Sequence, residues 1–235
     1  MNRIVFPADG PDEVQVKQRI AAGSQQFLGL ELLCGEGALV PRPETELLGL
    51  TAIEKIMVAT SPCVIYLCCG VGNLACAVAT YVPQARVWAT DLTEDCVRWA
   101  QKNVDKLSLS ARVHTFQGDL FKGLEGLGLE KTIDLIVCNP PYISTGRLAT
   151  DRAALLKDEP REAFDGGPYG LSIHQRVVAE APRFLKPSGW LAMEFGLGQD
   201  MQVKRLLERS RAFDEIVVVC DSNGYPRVAT GRLKA

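Results

Sequence analysis

No apolar run in this 235-residue sequence reaches the roughly 18 positions that a membrane-spanning helix needs. Its first residues, "MNRIVFPADGPDE", lack the apolar core of a secretory leader. These two absences lead us to expect a cytoplasmic protein with no membrane partner. Charge of one sign is also lacking, since 26 lysines and arginines meet 28 aspartates and glutamates, for a formal net charge of −2. Dedicated nucleic-acid binders carry a basic face or tail, so nucleic acid is not the expected partner. There are only two histidines, His114 and His174, and neither stands at ligand spacing from another metal-binding residue. The eight cysteines include no C-x-x-C pair. No metal site is expected, and most thiols, lying within apolar runs, read as small core hydrophobes. Also missing are the G-x-G-x-x-G dinucleotide fingerprint and the lysine-bearing P-loop.

What is present is a chain apolar enough, at 47%, to bury one large core. Residues 1–40 read as a short extension. It holds a helix over 12–22, ended by Gly23, and then two strands within 25–40 around the turn Gly35-Glu36-Gly37. Residues 41–235 read as the main domain. It opens with a helix in "PRPETELLGLTAIEKIM", where Pro43 sits in the first turn. From residue 62 onward, apolar strands alternate with amphipathic helices: "CVIYLC", "LACAVATYV", "ARVWATD", "TEDCVRWAQKNVDKL", "ARVHTF" and "TIDLIVC". A helix-bearing insertion, a helix, a strand and a further helix follow, before "DEIVVVCD" and "RVATGRL" close the chain as an antiparallel pair. Such alternation predicts an α/β fold with a mainly parallel, doubly wound sheet. In these sheets ligands bind beyond the C-terminal ends of the strands.

Three of those ends carry telling residues. Gly70 and Gly72 occupy the turn after the first strand, where a backbone can approach a ligand closely. Asp91, followed by Leu92, tips the second strand about 20 residues further on, placed to accept from both hydroxyls of a ribose. Asp119 and Leu120 follow the third strand and offer one polar partner and one apolar wall to an adenine. This set suits an adenosine cofactor, and without a pyrophosphate site it points to S-adenosylmethionine. The fourth strand ends in "NPPY". There the Asn139 side-chain oxygen and the Pro140 carbonyl are two rigidly held acceptors, able to grip the N–H bonds of a planar amide or amino nitrogen. Tyr142 can stack on that flat group.

These segments, with "ALVPRPETELL" (38–48), "GDLF" (118–121), "DEPREAFDGGPYGL" (158–171), "LAMEFGLGQ" (191–199) and "GYPRVATGR" (224–232), resemble the HemK/PrmC family. Its members use S-adenosylmethionine to methylate a glutamine side-chain amide in peptide-release factors. The resemblance implies a Rossmann-like class I methyltransferase fold. That fold has a seven-stranded, mainly parallel sheet with helices on both faces and an antiparallel C-terminal strand. It also implies that Thr45 borders the cofactor, and that Arg42, Glu44, Pro141 and Tyr142 line the acceptor pocket.

Two features depart from the family pattern. Tyr66 and Cys68 stand where an acid and a glycine are usual. Either the loop compensates for the Cβ at 68 or cofactor affinity is reduced. Only about 24 residues precede "QQFLGL", where the family usually carries a helical domain that holds the protein substrate. This favours a small molecule or peptide of a biosynthetic pathway as acceptor, with a release factor as the alternative. A nucleic-acid amino-methyltransferase and a non-catalytic cofactor-binding module are further alternatives.

Overall fold

The computed structural model describes residues 13–150 and 152–235. Helix α1 (Glu13–Ala22) leads into a hairpin of β1 (Ser24–Phe27) and β2 (Leu30–Leu33), followed by α2 (Glu46–Ile56). Strands and helices then alternate as β3 (Cys63–Leu67), α3 (Asn73–Tyr81), β4 (Arg86–Asp91), α4 (Glu94–Lys106), β5 (Val113–Gln117) and β6 (Ile133–Cys138). A short helix, α5 (Thr145–Ala149), lies in the insertion. It is followed by α6 (Ser172–Phe184), β7 (Leu185–Glu194), α7 (Asp200–Ser210), β8 (Phe213–Cys220) and β9 (Pro226–Leu233). Among the described residues no helix is long and apolar enough to cross a membrane.

Seven strands form one sheet in the order β5-β4-β3-β6-β7-β9-β8. Neighbours from β5 through to β7 run parallel, whereas β9 pairs antiparallel with both β7 and β8. The chain leaves β3 toward one edge and later returns to its other side as β6. A crevice therefore opens above the C-terminal ends of β3 and β6, where Leu67 pairs with Cys138. The central strands β3 and β6 are buried on both faces, which is why they are almost continuously apolar, whereas the edge strands β5 and β8 are partly exposed. Val64 and Tyr66 of β3 enter one core with α2 and α3, while Ile65 and Leu67 enter the other with α6 and α7.

The hairpin turns at Leu28-Gly29, not at Gly35-Glu36-Gly37 as expected. Both turn residues have positive φ, 47° and 78°, and Phe27 pairs directly with Leu30. A two-residue turn of that kind matches the natural twist of the strands, and glycine takes the conformation at no steric cost. The later glycines serve packing instead. A Cβ at Gly35 would fall 2.5 Å from the Trp99 ring, and one at Gly37 would fall 2.6 Å from Asp95, both on α4. Buried Asn103 of α4 ties the hairpin down. Its Oδ1 accepts from Leu33 N at 2.6 Å, and its Nδ2 donates to the carbonyls of Leu33 and Val71, each at 2.9 Å. The same side chain thus steadies the loop after β3.

The insertion between β6 and α6 folds back over the crevice. Glu159 accepts from Val40 N at 2.9 Å and pairs with the buried Arg42 guanidinium. Two segments more than a hundred residues apart are thereby locked together above the strand ends.

Candidate active site

Two cavities meet above β3 and β6. The first, about 350 Å³, is lined by Thr45, Gly70, Asp91, Leu92, Asp119, Leu120, Asn139 and Pro141, all expected site residues. Arg42 lines both cavities, as does Asn139. The second, about 270 Å³, adds Glu44, Pro140 and Tyr142. Gly72 lines neither. It sits at φ +81° ahead of α3, and a Cβ there would press within 3.0 Å of Ala100 on α4. Its lack of a side chain serves the close approach of two helices.

The loop after β3 is organised by Asp91. Its Oδ2 accepts from Gly70 N at 2.8 Å and its Oδ1 from Thr93 N at 3.3 Å. Each carboxylate oxygen keeps a lone pair for a ligand hydroxyl. Burial raises the Asp91 pKa, and the Gly70 and Thr93 amides pull against that rise. Thr93 itself caps α4 by accepting from Cys96 N at 3.3 Å. Asp119 is held by Arg176, whose Nη2 donates to its Oδ2 at 2.8 Å. Leu120, at φ +55° and nearly fully buried, walls the same end.

Tyr66 occupies the position of the missing acid. Its buried hydroxyl donates to Oδ1 of Asn73 at 3.1 Å, which pins the start of α3 and leaves the Asn73 amide against the cavity. Cys68 carries its Cβ at φ +55°, in the left-handed region, and its sulfur accepts from the Cys138 thiol at 3.9 Å. A side chain in that region costs about 1–2 kcal/mol. We expect Cys68→Gly to stabilise the fold by about 0.5–1 kcal/mol, because glycine's greater freedom when unfolded cancels part of the relief. Urea denaturation followed by circular dichroism measures it, and a destabilised variant would show that the sulfur contact outweighs the backbone strain.

The second cavity is rich in buried charge. Arg42 Nη1, Glu44 Oε2, Glu194 Oε2 and Arg227 Nε are all buried without a protein partner. Glu194 ends β7 within this cavity, and its carboxyl is pushed up to about 8, by burial and then by Glu44. Burial and these two carboxylates also raise the Tyr142 hydroxyl. Sequence reasoning placed Tyr66 and Cys68 in the cofactor loop, and both line the first cavity; it missed Asn73 there, and Glu194, Gln199 and Arg227 in the second. Glu194 had a usable signal, an acid tipping the apolar run "LAMEF" just as Asp91 tips "WATD".

Fold and cavity define the class. This is a Rossmann-like methyltransferase, and its first cavity fits S-adenosylmethionine: a strand-tip carboxylate with two spare acceptors, a glycine loop and a leucine-walled end, but no dinucleotide fingerprint. The model of the methyltransferase small domain family matches residues 45–228. A release factor glutamine methyltransferase of Moorella thermoacetica is 38% identical over 209 residues, covering 87% of this chain and 71% of that protein. One of Geobacter sulfurreducens is 36% identical over 211 residues, covering 90% and 71%. Among solved structures, a methyltransferase from Pyrococcus furiosus shares the fold at a TM-score of 0.65 and 15% identity, over 95% of this chain and 98% of that one. The chain belongs to the HemK/PrmC family, and it is an S-adenosylmethionine-dependent N-methyltransferase.

Proposed function

We propose that the acceptor is the side-chain amide of a glutamine in a peptide-release factor. The observation that carries this reading is the meeting of the two cavities at Asn139, with Pro140 next to it lining the second. One cavity suits the cofactor, and the other ends at a pair of rigid acceptors. A planar amide presented through the second cavity offers two N–H bonds. The Asn139 Oδ1 and the Pro140 carbonyl take both, which turns the face of the nitrogen toward the cofactor. Bound S-adenosylmethionine supplies an electrophilic methyl group at its sulfonium. Transfer is then a matter of alignment, and the nitrogen loses its proton readily once alkylated. Tyr142 and Pro141 flank the flat group. Asp91 holds the ribose, with Gly70, Leu92, Asp119 and Leu120 around the nucleoside. The unpartnered atoms of Arg42, Glu44, Glu194 and Arg227 provide donors and acceptors together, which suits a peptide better than an apolar metabolite.

The small-molecule acceptor of a biosynthetic pathway had its support in the short stretch ahead of "QQFLGL". Where a sequence begins says nothing about the pocket, and the relatives named as release factor methyltransferases favour the protein acceptor. The test uses methyl-labelled S-adenosylmethionine with the purified release factors of the protein's own host. We expect one methyl group on one glutamine, located by peptide mass spectrometry. Label that appears only in the small-molecule fraction of a host lysate would overturn the reading.

A further inference from the structure

Asn139 can serve an amide acceptor only one way round. Its Oδ1 has to face the acceptor N–H, because an Nδ2 in that place would oppose donor to donor. Something must therefore hold the side-chain amide against a half-turn. Its Nδ2 donates to Thr45 Oγ1 at 3.1 Å. Thr45 stands at the N-cap of α2, where a threonine ordinarily turns its hydroxyl to the free helix N–H groups. Here it makes no capping bond and is buried, 1% exposed. Its hydroxyl oxygen is turned to Nδ2 instead, and that bond sets which end of the Asn139 amide faces the cavity.

We propose that Thr45 is the positioning residue that holds the Asn139 amide with Oδ1 toward the acceptor nitrogen. The inference rests on the proposed role of Asn139 and deepens it. It joins the ends of two elements, β6 and α2, through one hydrogen bond.

Hydrogen exchange of the Asn139 side-chain amide in the full-length, cofactor-saturated protein tests the orientation without any acceptor. One Nδ2 proton should exchange slowly in the wild type and in Thr45→Ser, and at least ten times faster in Thr45→Val. Equal exchange in all three overturns the proposal. With a release factor as acceptor, Thr45→Val should lose about tenfold in kcat at unchanged KM for the cofactor, the size of one hydrogen bond, and Thr45→Ser should restore it. Equal loss in both variants, or loss in neither, overturns it as well. Failure to methylate any release factor removes the proposed acceptor only, because the exchange result stands apart from it.

Discussion

Asn139→Ala is expected to lower turnover about 100-fold while the dissociation constant for S-adenosylmethionine stays within about threefold. Removing one preorganised hydrogen-bonding partner from an active site typically costs 100- to 1000-fold in rate. The lower end applies here, because Pro140 still offers its carbonyl and no full charge develops on the gripped amide. Asn139 borders both cavities, yet its side chain is tied to Thr45, so the cofactor loses little when it is cut back. The fold also loses little. Asn139 is only half-buried, and the variant leaves one lone pair of Thr45 Oγ1 without its donor, worth about 1 kcal/mol. Single-turnover methylation and calorimetric titration of the cofactor separate the two effects. Unchanged turnover would mean that the acceptor nitrogen is held elsewhere, and a matching loss of cofactor affinity would make Asn139 a cofactor residue first.

The outline of this molecule was legible in the sequence because strand and helix periods alternate cleanly from Cys63 onward and the central strands β3 and β6 are apolar on both faces. The strand-tip residues were legible for a related reason. In a doubly wound sheet the last residue of an apolar run has to lie at the ligand edge, and this alone places Asp91 and Asn139. The partners of those residues were less visible. Tyr66 reaching Asn73, or Thr45 meeting Asn139 across 94 positions, depends on how elements pack rather than on any local pattern. The turn at Leu28-Gly29 was hidden because leucine rarely takes a positive φ, so the more glycine-rich Gly35-Glu36-Gly37 looked like the better corner. Those glycines are set by Trp99 and Asp95 on α4, which only the folded chain brings near.

Asp91→Ala is expected to do the reverse of Asn139→Ala. The dissociation constant for S-adenosylmethionine should rise about 100-fold, while turnover at saturating cofactor stays within about fivefold. Hydrogen bonds to a charged acceptor contribute about 1.5–3 kcal/mol each. Two of them to a ribose, less what water recovers in the variant, leave about 3 kcal/mol, which is the 100-fold change. The effect on stability is smaller because two contributions oppose each other. The variant leaves the N–H groups of Gly70 and Thr93 unpaired, which destabilises the loop. It also removes a carboxylate whose pKa burial raises, so ionised Asp91 lowers the stability of the fold as pH climbs past its unfolded value. A charge that costs stability in the free protein is well placed for a ligand that needs it. Asp91→Asn keeps the shape but exchanges one acceptor for a donor, and should fall between the two. Calorimetric titration and thermal melting decide the matter together. An unchanged dissociation constant with a lowered melting temperature would make Asp91 the organiser of the 68–72 loop alone, and the ribose would then need another partner among the residues lining the first cavity.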